Sequence, residues 1–227
     1  MKKRQNADVL PSLIDLKGKK VADIGCGEGS LTRLMTRHGA NVIGVECSAK
    51  QLERARAAKP AGNENYCEGV GEDLSFEDEK LDLVVFFNSL HHIAIAQQDK
   101  ALSEAARVLK TGGQVYVCEP LAEGEHFELI KPVHDETKVR AAADKAIKKA
   151  GKHGLTQEME TVYSHSSSYP DYSVFQDRIL TVNPQLGEDF DKLQETLKNN
   201  FETMGHKTEN GFEFSQPMRV NLLTKTG

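Results

Sequence analysis

The sequence predicts an α/β protein built on a mainly parallel β-sheet. Four short apolar runs of strand length alternate with three helical patterns between residues 20 and 119, and this alternation is typical of βαβ crossovers. The stretch VADIGCGEGS at 21–30 places three glycines directly behind the first strand, as expected where a strand turns sharply into a helix. The 227 residues, 38% hydrophobic and 28% charged, fit one domain with a sizeable core.

Each element of this region has its own signal. Ser48 is a suitable N-cap for a helix that Pro60 ends. The run LDLVVFFNS at 81–89 is largely apolar, as in strands that are covered on both faces. The predicted strands are 20–24, 41–46, 81–89 and 114–119, and the predicted helices run from Ser30 or Thr32 to Gly39, from 48 to 59, and from 99 to 109 before a break at Thr111-Gly112-Gly113.

The alternation of predicted strands and helices stops after Pro120, where residues 121–136 are polar and irregular in pattern. The remaining predicted elements are helices at 138–150, 171–182 and 187–204 and strands at 160–169 and 212–225. Pro217 predicts an edge position or a bulge for the last strand, because proline cannot donate to a sheet ladder. No Gly/Ser-rich or Pro-rich linker interrupts the chain, so we predict one domain over 1–227. Its core covers 1–120, and 121–210 are predicted to form insertions that act as an acceptor lid.

Composition excludes several classes of protein. The net charge of −5, with acids and bases interspersed, differs from that of a globally basic nucleic-acid binder. No apolar run approaches the roughly 20 residues that span a bilayer, and the N-terminus lacks the features of a signal peptide. The four cysteines form no C-x-x-C pair, which favours buried, reduced thiols in a cytoplasmic protein. No metal site is predicted, because the spacing of His126, Glu128 and His134 fits no tight ligand pattern.

The spacing of the glycine loop and the acids beside it restrict the class of ligand that the loop can bind. Its spacing is G-x-G-x-G, whereas the dinucleotide fingerprint is G-x-G-x-x-G. Asp23 stands directly before the loop, where it repels a pyrophosphate and suits a cationic group. Glu46 ends the second strand about 20 residues later, where a carboxylate can accept both ribose hydroxyls. A ribose with a cationic amino-acid group and no pyrophosphate describes S-adenosylmethionine.

At this point the sequence resembles the class I S-adenosylmethionine-dependent methyltransferases, particularly the small-molecule branch of the ubiquinone/menaquinone-biosynthesis type. The resemblance covers about 15–120. VADIGCGEGSLT and VIGVE look like the first two motifs of that family, and GEDLSFEDEKLDLVVFFNSLHHI and ALSEAARVLKTGGQVYVCEP like the motifs that follow. It implies a Rossmann-like, doubly wound, seven-stranded, mainly parallel sheet with an antiparallel last strand.

The resemblance also implies a set of cofactor-binding positions. Many relatives have an acid after the glycine of the third motif, but here Val70 follows Gly69. Glu72 or Asp73 can substitute for that acid in binding the adenine. The predicted cofactor-binding residues are Asp23, Gly25, Cys26, Gly27, Gly29, Glu46, Cys47, Glu72, Asp73, Leu74 and Asn88.

The catalytic candidates end two neighbouring strands of the predicted sheet. His91 and His92 follow the strand at 81–89, in the region where the family places residues near the acceptor. A histidine near neutrality can accept a proton from a nucleophile, and adjacent side chains point in different directions, so one of the two is expected to act. Glu119, at the end of the next strand, is expected to orient the substrate. The competing interpretation is that these side chains pack or cap turns.

The sequence therefore predicts methyl transfer from S-adenosylmethionine to an O, N, S or C nucleophile of a small-molecule acceptor, with no membrane partner and a monomeric or homodimeric state. One alternative is an RNA methyltransferase, suggested by the basic face of the helix at 138–150. The other alternative is a non-catalytic relative that binds the cofactor and activates a partner.

Overall fold

The structure, a computed structural model, describes residues 1–226, and its chain divides into two compact units. The larger unit comprises Asn6–Glu119, Val139–Thr161 and the chain from Arg219 onward. The smaller unit comprises Met1–Gln5, Pro120–Lys138 and Val162–Met218. All the residues predicted to bind the cofactor or to act in catalysis fall in the larger unit.

The strands confirm the alternating pattern. In the described part of the chain they are β1 (Lys20–Ile24), β2 (Asn41–Glu46), β3 (Asn65–Glu68), β4 (Leu81–Phe87), β5 (Leu109–Pro120), β6 (Leu155–Tyr169), β7 (His206–Thr208) and β8 (Gly211–Lys225). The short strand β3 has no strong apolar pattern and was not predicted. The stretch Thr111-Gly112-Gly113 does not end an element, because it forms an irregularity within β5, where the register shifts against β4.

Residues 1–226 also form nine α-helices. They are α1 (Asn6–Leu13), α2 (Ser30–Arg37), α3 (Ala49–Ala57), α4 (Ile95–Val108), α5 (Glu125–Ile130), α6 (Thr137–Lys148), α7 (Tyr172–Val182), α8 (Gly187–Lys192) and α9 (Gln194–Met204). The predicted N-cap of α3 is confirmed, since the Ser48 side chain accepts the Gln51 N–H. The prediction that 121–136 is irregular is wrong, because α5 lies within it. No helix among residues 1–226 has the length and hydrophobicity to span a bilayer.

The sheet has the predicted doubly wound order. Its strands follow β3-β2-β1-β4-β5-β8-β6, and β7 pairs antiparallel with β8. β1 pairs parallel with β2 on one side and with β4 on the other. The predicted fold class, with antiparallel strands at the C-terminal end, is confirmed. The sheet has eight strands where seven were predicted, because the three-residue strand β7 adds to β8. The edge position predicted from Pro217 is wrong, because β8 lies between β5 and β6.

Each unit has its own hydrophobic core. In the larger unit the core is centred on β4, whose residues from Leu83 to Phe86 are fully buried, as expected for a strand covered on both faces. In the smaller unit an aromatic cluster fills the core, where the rings of Phe175 and Phe201 pack at a tilt of 41° with centroids 5.6 Å apart. The sheet of the larger unit brings the carboxyl ends of β1, β2, β4 and β5 to one edge. The predicted site residues lie at this edge.

Candidate active site

The glycine loop joins β1 to α2 through three left-handed residues. Gly25, Gly27 and Gly29 have φ values of 69°, 55° and 75°, which residues with a Cβ adopt at a cost. The backbone N–H groups of Gly25 and Cys26 both donate to the Val45 carbonyl oxygen, at 2.8 and 3.1 Å. The loop is therefore fixed to the end of β2 by backbone hydrogen bonds.

The three glycines serve different purposes. A Cβ on Gly25 would lie 2.6 Å from the Ser89 Cβ, and a Cβ on Gly29 would overlap the Tyr66 ring. A Cβ on Gly27 meets no atom within 4 Å. Packing within the protein therefore requires Gly25 and Gly29, whereas Gly27 faces open space in which a ligand can approach the backbone.

Asp23 is a buried carboxylate beneath this loop. It is 1% exposed, and the Thr32 hydroxyl donates to its Oδ2 at 2.6 Å. Burial raises the pKa of Asp23 to about 6, and the charge of Glu46 adds to that rise, while hydrogen bonds from Thr32 oppose it. A cation near Asp23 would relieve this unfavourable charge, as the predicted contact with an ammonium group requires.

Glu46 connects the loop to the start of α3. Its Oε2 accepts the Gly27 N–H and its Oε1 accepts the Ser48 N–H, each at 2.9 Å. The side chain is buried at the end of β2. The Cys47 thiol, a weak donor, also donates to Oε1, at 3.5 Å. Each carboxylate oxygen has two acceptor sites, so Glu46 has one unused site, on Oε2, and a second that a stronger donor can take from the thiol.

The two cysteines of the loop region are poor nucleophiles. Burial raises the pKa of the half-buried Cys26 thiol strongly, and the charges of Asp23 and Glu46 raise it further. Burial and the Glu46 carboxylate also raise the pKa of Cys47. Both thiols are protonated at neutral pH, and only the thiolate is a nucleophile.

The segment after β3 holds the candidate adenine contacts. Val70 is 40% exposed, and its carbonyl oxygen accepts the Asp73 N–H at 3.3 Å. Asp73 lines a cavity of about 280 Å³ that also has Phe76 in its wall. Glu72 lies near Cys47, whose pKa its charge raises. Both carboxylates predicted to substitute for an acid at Val70 thus lie in this region of the larger unit.

Leu74 is held in place by protein groups. Its side chain is buried, and its N–H donates to Glu104 Oε2 at 2.9 Å. Arg107 binds the Leu74 carbonyl oxygen and the Glu104 carboxylate. Both backbone groups of Leu74 are therefore used by the protein, and its side chain packs in the core of the larger unit, so its predicted contact with a cofactor stays a prediction.

Asn88 directly follows β4 in an unusual conformation. It is half-buried and has a φ of 53°, and its N–H donates to the Cys118 carbonyl oxygen at 2.8 Å. Its side-chain Oδ1 is buried with no hydrogen-bond partner. The next residue, Ser89, donates its hydroxyl to the Ile24 carbonyl oxygen at 2.6 Å, which links the end of β4 to the glycine loop.

His91 and Glu119 form a buried pair. They are 3% and 2% exposed, and His91 Nδ1 is hydrogen-bonded to Glu119 Oε2. Glu119 Oε1 accepts the N–H groups of Ser89 and Leu90, at 3.2 and 3.0 Å. A histidine that donates from Nδ1 is basic at Nε2. Glu119 therefore holds both the His91 ring and the backbone of the loop that follows β4.

His92 differs from its neighbour in burial. It is exposed, and its ring centroid lies 4.0 Å from that of His91. Its N–H donates to the Ser89 carbonyl oxygen at 3.1 Å, within the short 3₁₀ helix Leu90–His92. The structure thus separates the two histidines into a buried one that is oriented by a carboxylate and an exposed one.

Sequence reasoning missed three groups that build this site. Thr32, Ser89 and Tyr66 position the predicted residues without carrying a recognisable motif of their own. The pairing of His91 with Glu119 was also not predicted, although the register of β4 with β5 contains the signal. Phe87 pairs with Cys118, so Glu119, the next residue of β5, must lie close to the residues that follow β4.

Comparison with known proteins gives matches over slightly less than half of the chain. The family described as "Methyltransferase domain" matches residues 22–117. An uncharacterized methyltransferase from Synechocystis is 38% identical over 104 residues, which are 46% of this chain and 48% of the relative. A demethylmenaquinone methyltransferase from Tropheryma whipplei is 35% identical over 102 residues, 45% of this chain and 42% of the relative. The chain thus spans less than half the length of these relatives.

A solved structure covers more of the chain. The YcgJ protein from Bacillus subtilis superposes with a TM-score of 0.68 over 97% of this chain and 98% of that chain, at 17% identity, which shows a shared fold. The resemblance predicted from the motifs is confirmed over residues 22–117.

Proposed function

We propose that this chain, whose residues 22–117 match the methyltransferase domain family, is a class I S-adenosylmethionine-dependent methyltransferase that acts on a small molecule. The observation that carries the proposal is the placement of two buried carboxylates around an open glycine. Asp23 lies beneath the loop, and Glu46 is bonded to the N–H of Gly27, above which there is open space.

The residues present fit this cofactor. Asp23 would hold the ammonium group, since a cation offsets the cost of burying its charge. Glu46 would accept one ribose hydroxyl at the unused site of Oε2 and the other at Oε1, in place of the weak bond from the Cys47 thiol. When bound, S-adenosylmethionine supplies a methyl group on a sulfonium sulfur, and this sulfur is a good leaving group in an in-line displacement. The protein then mainly has to align the reactants and exclude water.

We assign the proton transfer to His91. Glu119 holds the Nδ1 side of the ring, so Nε2 is the atom that receives a proton from the acceptor's nucleophile. Both side chains are buried, which favours a fixed geometry. His92 is exposed, and we assign it no proton transfer.

The small-molecule acceptor is supported by composition and by the names of relatives. A net charge of −5 disfavours an RNA substrate, whose phosphates are bound by basic surfaces. The Tropheryma whipplei relative is named as a methyltransferase of demethylmenaquinone, a small molecule. The assignment of residues 121–210 to acceptor binding stays a prediction.

The test is transfer of a labelled methyl group. Purified protein is incubated with methyl-labelled S-adenosylmethionine and a small-molecule extract of cells, and separately with total RNA. We expect label in a small-molecule product with the wild type, a rate about 100-fold or more lower with His91→Ala, and little change with His92→Ala. Label in RNA, or binding of the cofactor without any labelled product, would contradict the proposal.

A further inference from the structure

The smaller unit has an open cavity of about 690 Å³. This volume falls within the range of small-molecule sites, roughly 300–1,000 Å³. The walls come from the start of α7, from α9 and from the β7–β8 hairpin, and all the lining residues lie within Val162–Met218. The cavity is therefore formed by the smaller unit alone.

One face of α9 forms a wall of this cavity. Gln194, Lys198, Phe201 and Gly205 all line it, and their spacing of four, three and four residues places them on one side of a helix. Phe201 is 1% exposed, whereas Lys198 is exposed. This face of α9 thus supplies both a fixed aromatic ring and an ammonium group.

The β7–β8 hairpin supplies a second aromatic ring and a second ammonium group. Lys207 pairs with Phe212 across the two antiparallel strands, so both side chains project from the same face of the hairpin. Both residues line the cavity. A Cβ on Gly205 would lie 2.9 Å from Phe212 Cδ1, so the glycine at the end of α9 lets this ring approach the helix closely.

The aromatic rings of the cavity hold one another in place. The ring centroid of Phe201 lies 4.9 Å from that of Phe212 and 5.8 Å from that of Tyr172, which it meets edge-on at 81°. All three residues line the cavity. Because packing already fixes these rings, a flat ligand can stack on them without the cost of ordering side chains.

The two ammonium groups are unpaired. Within residues 1–226, neither Lys198 nor Lys207 makes an ion pair or a side-chain hydrogen bond. Two carboxylates also line the cavity. Asp171 accepts the Val174 N–H as the N-cap of α7, and Glu202 lies four residues after Lys198 without bonding to it. Both lysines are therefore free to bind an anionic group of a ligand.

We propose that this cavity binds a planar aromatic ligand that carries one anionic group, such as a carboxylate, sulfonate or phosphate. The ring of the ligand would stack on Phe201 and Phe212, and its anionic group would bind Lys198 and Lys207. The inference goes beyond the proposed function and does not depend on it, because every residue that carries it belongs to the smaller unit.

The test uses two fluorescent probes and requires no identified ligand. 1-Anilinonaphthalene-8-sulfonate is an aromatic anion, and N-phenyl-1-naphthylamine is its uncharged analogue. Each is titrated into the wild type and into the double variant Lys198→Gln/Lys207→Gln. The control is Lys59→Gln/Lys192→Gln, which has the same net charge and changes two exposed lysines outside the cavity. Thermal melting first establishes that each protein is folded.

We expect the variant of the two cavity lysines to bind the anion about tenfold more weakly than the control does, and both to bind the uncharged probe equally. Phe212→Leu, which removes the ring but keeps an apolar side chain, should weaken the binding of both probes about threefold or more. Equal affinities of the two double variants for the anion, an equal loss of both probes in the variant of the cavity lysines, or wild-type affinities in Phe212→Leu would overturn the inference.

Discussion

Gly27 donates its backbone N–H to the Glu46 carboxylate across 2.9 Å, from the middle of the glycine loop to the end of β2. The other oxygen of the same carboxylate accepts the Ser48 N–H at the start of α3. Glu46 therefore organises the loop of the ligand-free protein in addition to its proposed role with the ribose. A change at Glu46 should affect both stability and cofactor binding.

Replacement of Glu46 by glutamine should lower the affinity for S-adenosylmethionine by roughly tenfold or more. The amide cannot make the charge-assisted hydrogen bonds, worth about 1.5–3 kcal/mol, that a carboxylate makes with two hydroxyls. The ligand-free protein should also melt at a lower temperature, because the amide NH₂ must face the N–H of Gly27 or of Ser48. Calorimetry and thermal melting of Glu46→Gln measure the two effects.

Glu53→Gln, at an exposed position of α3, is the control. Equal affinities for S-adenosylmethionine in the two variants would show that Glu46 has no part in binding.

Cofactor binding should weaken as the pH falls through about 6. Burial raises the pKa of Asp23 to about 6, with a further contribution from Glu46, and only the ionised carboxylate attracts the ammonium group. At pH 5 about a tenth of the free protein has Asp23 ionised, so the affinity should be about tenfold lower than at pH 7.5. Adenosine, which lacks the cationic group, should bind with little dependence on pH. Equal affinities for S-adenosylmethionine at the two pH values would rule out this contact.

The same pKa shift fixes the sign of a stability effect in the ligand-free protein. The folded-state pKa of Asp23 lies above the unfolded value of about 3.9, so the folded state binds the proton more tightly. The resulting stabilisation is present below pH 4 and is lost as the pH rises through about 6. Asp23→Asn should therefore raise the melting temperature at pH 7.5 while it weakens cofactor binding.

Alanine at Gly25 should destabilise the protein more than alanine at Gly18. Both glycines have a left-handed φ, 69° and 74°, so both variants carry the strain of about 1–2 kcal/mol. Only at Gly25 does the new Cβ overlap another side chain, 2.6 Å from the Ser89 Cβ, whereas Gly18 has open space. Overpacking adds about 1–3 kcal/mol. Urea denaturation of Gly25→Ala and Gly18→Ala compares the two, and equal free energies of unfolding would mean that Ser89 moves aside freely.

Glutamine at position 119 should slow catalysis with little effect on cofactor affinity. Its amide oxygen can still accept the N–H groups of Ser89 and Leu90, while its NH₂ group faces His91 Nδ1. The NH₂ group favours the tautomer with the proton on Nε2, which cannot act as the base. Nitrogen NMR of His91 reports the tautomer, and methyl-transfer rates report activity. A wild-type rate with the changed tautomer would exclude His91 as the base.

The sequence predicted the larger unit well because its signals are local. The buried strand β4, the Ser48 cap and the glycine turn each have a pattern that depends on a few adjacent residues. β3 was missed because it is short and only partly buried, so it has no strong apolar pattern. The position of β8 between two strands was also missed, since pairing partners far apart in the chain leave no local signal, and proline at 217 favoured an edge.

For the site, the sequence indicated which residues matter but not how they contact one another. Asp23 and Glu46 were identified from their places at strand ends, and the structure adds Thr32 and the backbone of Gly27 as their partners. His91 and His92 were equivalent in the sequence, and only burial and the contact with Glu119 distinguish them. Such differences depend on tertiary packing, which a motif does not encode.

The central claim is that the loop between β1 and α2 binds S-adenosylmethionine, and titration calorimetry of the purified wild-type protein tests it most directly. The protein is titrated at pH 7.5 with S-adenosylmethionine, with S-adenosylhomocysteine and with NAD, without added metal. We expect saturable binding of the first two, one molecule per chain, and much weaker or no binding of NAD. Absence of heat with both sulfur ligands, or tighter binding of NAD, would contradict the account.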